Sequence, residues 1–129
     1  MTLWSRKTPN EVYSGEEIKA RLSAQLPRWT LEGGFICRQF KTGGWKATLM
    51  VVNTVGHLAE VAWHHPDLTV SFASVTVRLI NHEAQGVTEK DFELASKIEE
   101  VVQWRPGADS GSALEGTPQD PQHQYVLYD

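Results

Sequence analysis

The chain has few features of secreted, membrane-spanning or nucleic-acid-binding proteins. It contains one cysteine among 129 residues, which excludes an internal disulfide and is typical of a reducing compartment. It has no run of about 18 apolar residues that could cross a membrane, and residues 1–10 contain no apolar segment typical of a secretory signal. A formal net charge of −4 does not favour a surface devoted to nucleic acid. We therefore expect a small cytoplasmic protein that binds neither nucleic acid nor membrane.

The composition is that of one globular domain followed by an arm. Apolar residues make up 40% of the chain and charged residues 22%, which suits a single core at this length. Periodic apolar patterns end near residue 105, so we assign residues 1–105 to one α+β domain. Residues 106–129 are rich in glycine, proline and polar side chains and form an extended C-terminal arm. Its end, residues 125–128, is apolar enough that we expect it to dock on some surface.

Apolar periodicity predicts three helices and four strands in the order α-β-β-α-β-β-α. Ser14 and Glu17 have the spacing of a capping box before the first helix, and a Gly-Gly pair predicts a tight hairpin between the first two strands. The longest helical pattern covers residues 45–64 and is ended by Pro66. Because this order needs no parallel crossover, we predict an α+β two-layer sandwich with a four-stranded antiparallel sheet and helices on one face.

A histidine pair at the end of the long helix is the first candidate for function. Pro66 disfavours helical backbone at the residue before it, so the helix should end near His64 while His65 turns extended. The two imidazoles would then point in different directions. Glu60 precedes His64 by four residues and would orient that ring from the same helical face. Imidazoles, with an ordinary pKa of about 6.5, donate and accept protons at neutral pH.

Two residues further along the chain can reach the same rim of the sheet. His82 lies in the loop after the fourth strand, and Asp91 lies in the first turn of the last helix, after Thr88. Each residue alone has a structural explanation, since Asp91 fits a capping position and loop histidines are common. Together these histidines and carboxylates suit proton transfer. No motif pairs them with a serine or cysteine nucleophile, and no His-x-His or His-x₃-His spacing favours the alternative of a metal site.

These residues, taken as a set, resemble the pterin-4a-carbinolamine dehydratase family. The resemblance covers about residues 14–104 and implies the same fold, assembled as homodimers or homotetramers. The family's pattern has a charged residue, a His-His-Pro triplet, an aromatic residue, a histidine and an aspartate at set intervals. This chain places at those intervals Glu60, His64, His65, Pro66, Phe72, His82 and Asp91.

The resemblance implies the loss of water from a 4a-hydroxytetrahydropterin to give the quinonoid dihydropterin, and we expect no cofactor and no metal. His64 and His82 would be the acid–base pair, and Asp91 would orient an imidazole. The remaining positions would bind the substrate, with the tryptophan after the first helix lining the pocket: His65, Glu60, Pro66 and Trp29.

A second hypothesis is a non-catalytic assembly or dimerisation cofactor on the same scaffold. Animal members of the family also act as dimerisation cofactors of a homeodomain transcription factor, and a related group assists assembly of the carbon-fixing carboxylase. In that group the histidine pair is replaced, so its retention here favours the enzyme. The arm at 106–129 extends beyond the usual family end and would cover the pocket or bind a protein partner. Residues 41–45 also depart from the family's usual segment.

Overall fold

The computed structural model describes residues 3–107 and 111–129, so residues 1–2 and part of the predicted arm, 108–110, lie outside the described residues. The elements are α1 Gly15–Gln25, β1 Thr30–Glu32, β2 Phe35–Lys41, α2 Trp45–Ala62, β3 Asp67–Ser71, β4 Ser74–Leu79 and α3 Glu89–Val102. The strands form one antiparallel sheet in the order β1-β2-β4-β3. The predicted α+β fold and element order are confirmed.

The core lies between one face of the sheet and the helices. Alternate residues of a strand point to the same side, and those of β2 and β4 that face the helices are at most 1% exposed, except Arg38 at 3%. α2 packs on β3 and β4, and α3 packs beside α2. The buried apolar residues of β2, α2, β4 and α3 include Ile36, Phe40, Val51, Val55, Val75, Val77, Leu79, Ala95 and Ile98.

Local signals place the turns where the sequence predicted them. Ser14 and Glu17 form the capping box of α1, with Glu17 N–H donating to Ser14 Oγ at 3.2 Å and Ser14 N–H donating to Glu17 Oε1 at 2.9 Å. Gly33 and Gly34 both have positive φ, 58° and 85°, which a two-residue hairpin turn requires. No helix in residues 3–107 or 111–129 combines the length and apolarity that a membrane span needs.

The long helix ends earlier than predicted. α2 stops at Ala62, and Trp63 adopts left-handed backbone with φ 53° and ψ 46°. The N–H of Trp63 donates to Glu60 O at 3.2 Å and the N–H of His64 donates to Ala59 O at 3.1 Å. This is a Schellman ending, in which glycine normally takes the left-handed position. A tryptophan there is strained, and the turn changes the direction of both histidines.

The C-terminal arm returns to the sheet after α3. Leu127 N–H donates to Lys41 O at 2.8 Å, Val126 is 6% exposed, and the carboxylate of Asp129 lies 2.8 Å from Nη2 of Arg38. The expected docking of the apolar end is therefore confirmed. The division of the chain at residue 105 stays a prediction.

Candidate active site

His64 and Asp91 meet where the end of α2 approaches the start of α3. Nε2 of His64 lies 2.6 Å from Oδ1 of Asp91, within hydrogen-bonding distance. The Asp91 side chain is fully buried, whereas that of His64 is 15% exposed. The ring therefore has one nitrogen held by the interior and one edge near solvent. The predicted convergence of these two residues is confirmed.

The carboxylate of Asp91 makes two hydrogen bonds, one with each oxygen. Its Oδ2 accepts a hydrogen bond from the N–H of Thr88 at 2.8 Å, which caps α3. Its Oδ1 is thereby directed to His64. The capping bond expected from the sequence and the contact with His64 are therefore both made by this one carboxylate.

Glu60 contacts His65 instead of His64. Oε1 of Glu60 lies 2.8 Å from Nε2 of His65, and the two side chains are 69% and 51% exposed. The ring of His65 also packs edge-on against Trp63 at 5.1 Å. The prediction that Glu60 orients His64 is wrong, because the left-handed residue Trp63 breaks the helical spacing on which it depended.

The loop after β4 presents His82 at the surface. Asn81 and Gly86 close the loop with reciprocal backbone hydrogen bonds of 2.9 and 3.2 Å. The side chain of Asn81 joins it to α3 by donating to Thr88 Oγ1 at 3.3 Å. The ring of His82 is exposed and lies edge-on to Phe35, with centroids 6.3 Å apart.

His82 and the histidine pair share one rim of the sheet. β4 ends at Leu79, which pairs with Ile36 near the start of β2, and β3 begins at Asp67, directly after the His-His-Pro triplet. Phe35, whose ring is covered by the guanidinium of Arg78 at 4.6 Å, was not among the residues predicted from the sequence. It had no motif to signal it, since only the sheet register brings it beside His82.

Trp29 lies away from this rim. It is 2% exposed, and its indole N–H donates to Oε1 of Glu99 at 2.7 Å. Glu99 follows Asp91 by eight residues in α3, which at about 1.5 Å per residue is about 12 Å along the helix. The structure does not bring Trp29 to the histidines, and its role in binding stays a prediction. Pro66 is half-buried and leads directly into β3.

Phe72 and the C-terminal arm occupy the opposite rim. Phe72 is 70% exposed in the turn after β3. The arm pairs with the end of β2, a seven-residue strand. At about 3.4 Å per residue, this contact lies about 20 Å from Phe35. The described part of the arm is therefore placed away from the histidines and does not cover them.

The two described cavities lie away from the histidines. The larger of two described cavities, about 1010 Å³, lies between α2, the end of α3 and the arm, and the smaller, about 550 Å³, lies along β2. Neither is lined by the histidines. Within residues 3–107 and 111–129, no three histidine, cysteine or acidic side chains are grouped as metal ligands. Chemically, the rim offers one histidine oriented by a buried carboxylate and two exposed histidines.

Comparison with known proteins extends over the part of the chain that forms this rim. The family described as pterin 4 alpha carbinolamine dehydratase matches residues 11–101. An Aquifex aeolicus protein, provisionally named pterin-4-alpha-carbinolamine dehydratase, is 48% identical over 89 residues, covering 69% of this chain and 89% of that protein. A Chloroflexus aurantiacus protein with the same provisional name is 43% identical, covering 69% and 95%.

A solved structure from Brucella melitensis, described as a transcriptional coactivator/pterin dehydratase, has the same fold. It matches with a TM-score of 0.64 at 26% identity, covering 70% of this chain and 98% of that one. The family match ends at residue 101, so the C-terminal arm lies outside it.

Proposed function

The chain belongs to the pterin-4a-carbinolamine dehydratase family of hydro-lyases, and we propose that it removes water from a 4a-hydroxytetrahydropterin by histidine acid–base catalysis. The observation that carries the proposal is the 2.6 Å contact between His64 and the buried carboxylate of Asp91. A carboxylate bonded to one ring nitrogen selects the tautomer and direction of the imidazole. It leaves the other nitrogen, Nδ1, to meet the substrate.

In the proposed reaction the C4a–O bond breaks and a ring C=N bond forms. The Nε2–H of His64 donates a hydrogen bond to Asp91, and Nδ1 is the base that accepts the pterin ring N–H proton. The electrons of that N–H form the C=N bond, and His82 supplies the proton with which the 4a-hydroxyl leaves as water. Proton transfers of this kind contribute about 10²–10⁴-fold in rate each.

The exposed pair of His65 and Glu60 is proposed to bind the pterin. A carboxylate–imidazole pair offers both donors and acceptors to the polar edge of a heterocycle, and its exposure leaves it free to rearrange around a ligand. Pro66 keeps His65 extended and separate from His64. We further propose a cytoplasmic homodimer or homotetramer, as the family resemblance implies.

The test is whether purified protein accelerates dehydration of 4a-hydroxytetrahydropterins. His64→Ala and His82→Ala should each lower kcat by about a hundredfold or more without unfolding the chain. His123→Ala is the matched control, because His123 is an exposed histidine that also contacts a carboxylate, Asp120, but lies in the arm. If the wild type accelerates no tetrahydropterin substrate, the enzyme proposal fails.

A second candidate function is that of an assembly or dimerisation cofactor. It is favoured by the description of the Brucella melitensis neighbour as a coactivator. It is also favoured by two exposed apolar side chains, Trp104 just before the arm at 63% and Leu114 within it at 60%. An inactive but folded wild type that binds a protein partner through residues 106–129 would support it. Removal of those residues would then abolish binding.

A further inference from the structure

A buried ionic cluster lies directly behind the proposed site. The guanidinium of Arg21 in α1 binds both oxygens of Glu89, Nη1 to Oε1 at 2.6 Å and Nη2 to Oε2 at 2.8 Å. The hydroxyl of Tyr13 donates to Oε1 at 2.5 Å, and Arg6 reaches Oε2 at 3.0 Å. Glu89 is 2% exposed. The Tyr13–Arg21–Glu89 cluster is thus a fully bonded group in the interior.

Stability alone is a weak reason for such a cluster. Removing two charges from water costs several kcal/mol per ion, so apolar side chains of similar volume often stabilise a core as well or better. A bidentate Arg–carboxylate pair does supply direction, because both groups are planar and their two bonds fix the relative orientation. The guanidinium is also held over the ring of Phe92 at 4.2 Å. The cluster therefore fixes α1 against the start of α3.

The start of α3 carries the carboxylate of the site. Glu89 is the first residue of α3, and Asp91 follows in the same turn. A rotation of this turn about the helix axis would move Oδ1 of Asp91 relative to His64, with which it makes its 2.6 Å contact. Because Asp91 and Glu89 leave the helix in different directions, the bidentate bond to Arg21 resists that rotation from the opposite side.

The same cluster also reaches the loop of His82. The N–H of Tyr13 donates to the carbonyl oxygen of Val87 at 2.9 Å. Beside it, Val12 packs so closely on Gly86 that a Cβ at Gly86 would lie 2.4 Å from its methyl group. Gly86 closes the loop by pairing with Asn81. The segment before α1 therefore contacts both the start of α3, which carries Asp91, and the loop that carries His82.

We propose that the Tyr13–Arg21–Glu89 cluster is a positioning device that sets the orientation of Asp91, and through it of His64, together with the loop of His82. The proposal assigns Arg21 and Glu89 as positioning residues of the dehydration reaction, and to that extent it rests on the proposed function. Both are buried, so we expect neither to touch the substrate. Their loss should therefore affect turnover rather than binding.

The experiment compares two matched variants of α3. Glu89→Gln weakens the bond to Arg21, whereas Glu99→Gln weakens an equivalent bond, from Glu99 to the buried Arg38, about 15 Å further along the helix. Glutamine at 99 can still accept from Trp29. With a 4a-hydroxytetrahydropterin substrate, Glu89→Gln should lower kcat about ten- to a hundredfold and change KM by no more than about twofold. Glu99→Gln should leave both within about twofold.

A second readout does not depend on activity. In protein labelled with ¹⁵N-histidine, the imidazole signals of His64 report its tautomer and its bond to Asp91. They should shift or broaden in Glu89→Gln and remain as in the wild type in Glu99→Gln. Arg21→Lys, which keeps the charge but loses the fork, should be intermediate. If the wild type is inactive, the proposed function fails, but this comparison still tests the positioning.

Two outcomes would overturn the proposal. One is a folded Glu89→Gln protein with wild-type kcat and His64 signals, and the other is an equal loss in both variants, which would mean a general loosening of α3. If Glu89→Gln does not fold, Tyr13→Phe decides, since it leaves the bidentate bond between Arg21 and Glu89 in place. It removes the hydrogen bond that the hydroxyl donates to Glu89 and those that it accepts from Arg21 and from the N–H of Lys7. A decrease in kcat with altered His64 signals supports the cluster, and unchanged values reject it.

Discussion

Replacing Asp91 with asparagine should reverse one hydrogen bond while leaving the fold in place. In the native protein one oxygen of Asp91 contacts Nε2 of His64 at 2.6 Å and the other accepts from the N–H of Thr88 at 2.8 Å. The carbonyl oxygen of asparagine can still accept from Thr88, but its NH₂ group then faces His64. His64 must therefore accept at Nε2 and carry its proton on Nδ1, the nitrogen proposed to serve as the base.

The structure predicts different effects on turnover and stability. Since general acid–base catalysis contributes about 10²–10⁴-fold, kcat of Asp91→Asn should fall by about that factor. The helix cap persists, so the free energy of unfolding should change by about 1 kcal/mol or less. Asp91→Ala should be as inactive, but should also lose about 1–3 kcal/mol of stability, because the buried N–H of Thr88 loses its acceptor. The two variants therefore separate the two functions of the carboxylate.

Initial rates of quinonoid dihydropterin formation, followed by absorbance, measure the first effect, and denaturant unfolding measures the second. Histidine NMR of Asp91→Asn should show the proton of His64 on Nδ1. A folded Asp91→Asn protein with kcat within about threefold of the wild type would refute the assignment of Asp91 as the residue that sets the tautomer. A loss of stability equal to that of Asp91→Ala would refute the preserved cap.

Truncation after Arg105 should lower the melting temperature, because it exposes the surface on which Val126 packs, a burial worth about 1.5–3 kcal/mol. The value of kcat should persist, because the arm docks on the opposite rim from the histidines. A truncated protein that is folded but inactive would contradict this. The thiol of Cys37 should react slowly with a disulfide reagent at pH 7, because burial and then the charge of Glu32 raise its pKa above 9.0. The control is the reaction rate of the same thiol in the denaturant-unfolded protein. Burial opposes ionisation of Glu89, but the hydrogen bonds from Arg21 and Tyr13 hold its pKa below 4.5. A carboxyl group whose pKa is lower in the folded state than in the unfolded state stabilises the fold at pH values above its unfolded pKa. The free energy of unfolding should therefore fall as the pH falls below about 4.5. In Glu89→Gln this fall should be less steep.

Much of the fold was predictable because its signals are local. The capping box of Ser14 and Glu17 and the glycine turn at 33–34 depend on neighbouring residues only, and strand alternation records which face is buried. The convergence of the histidine pair and Asp91 at one rim was also predictable, since a helix that ends beside the start of another brings their terminal residues near each other.

The contacts of Glu60 and Trp29 were not predictable from the sequence, because each depends on a choice that local preferences do not make. Trp63 takes a backbone conformation that tryptophan disfavours, and the resulting turn brings Glu60 into contact with His65 instead of His64. Trp29 pairs with Glu99, 70 residues away, which only the packing of α3 on the sheet decides.

The sequence by itself determined the order of the elements, the capped start of α3 and the set of histidines and carboxylates at the rim. Only the tertiary structure decided which carboxylate contacts which histidine and which rim the arm occupies. It also decided that the buried Tyr13–Arg21–Glu89 cluster packs behind the turn that carries Asp91. The physical reason is that a periodic pattern records burial and local backbone preference, whereas pairing between distant polar groups depends on the angle at which packed elements meet.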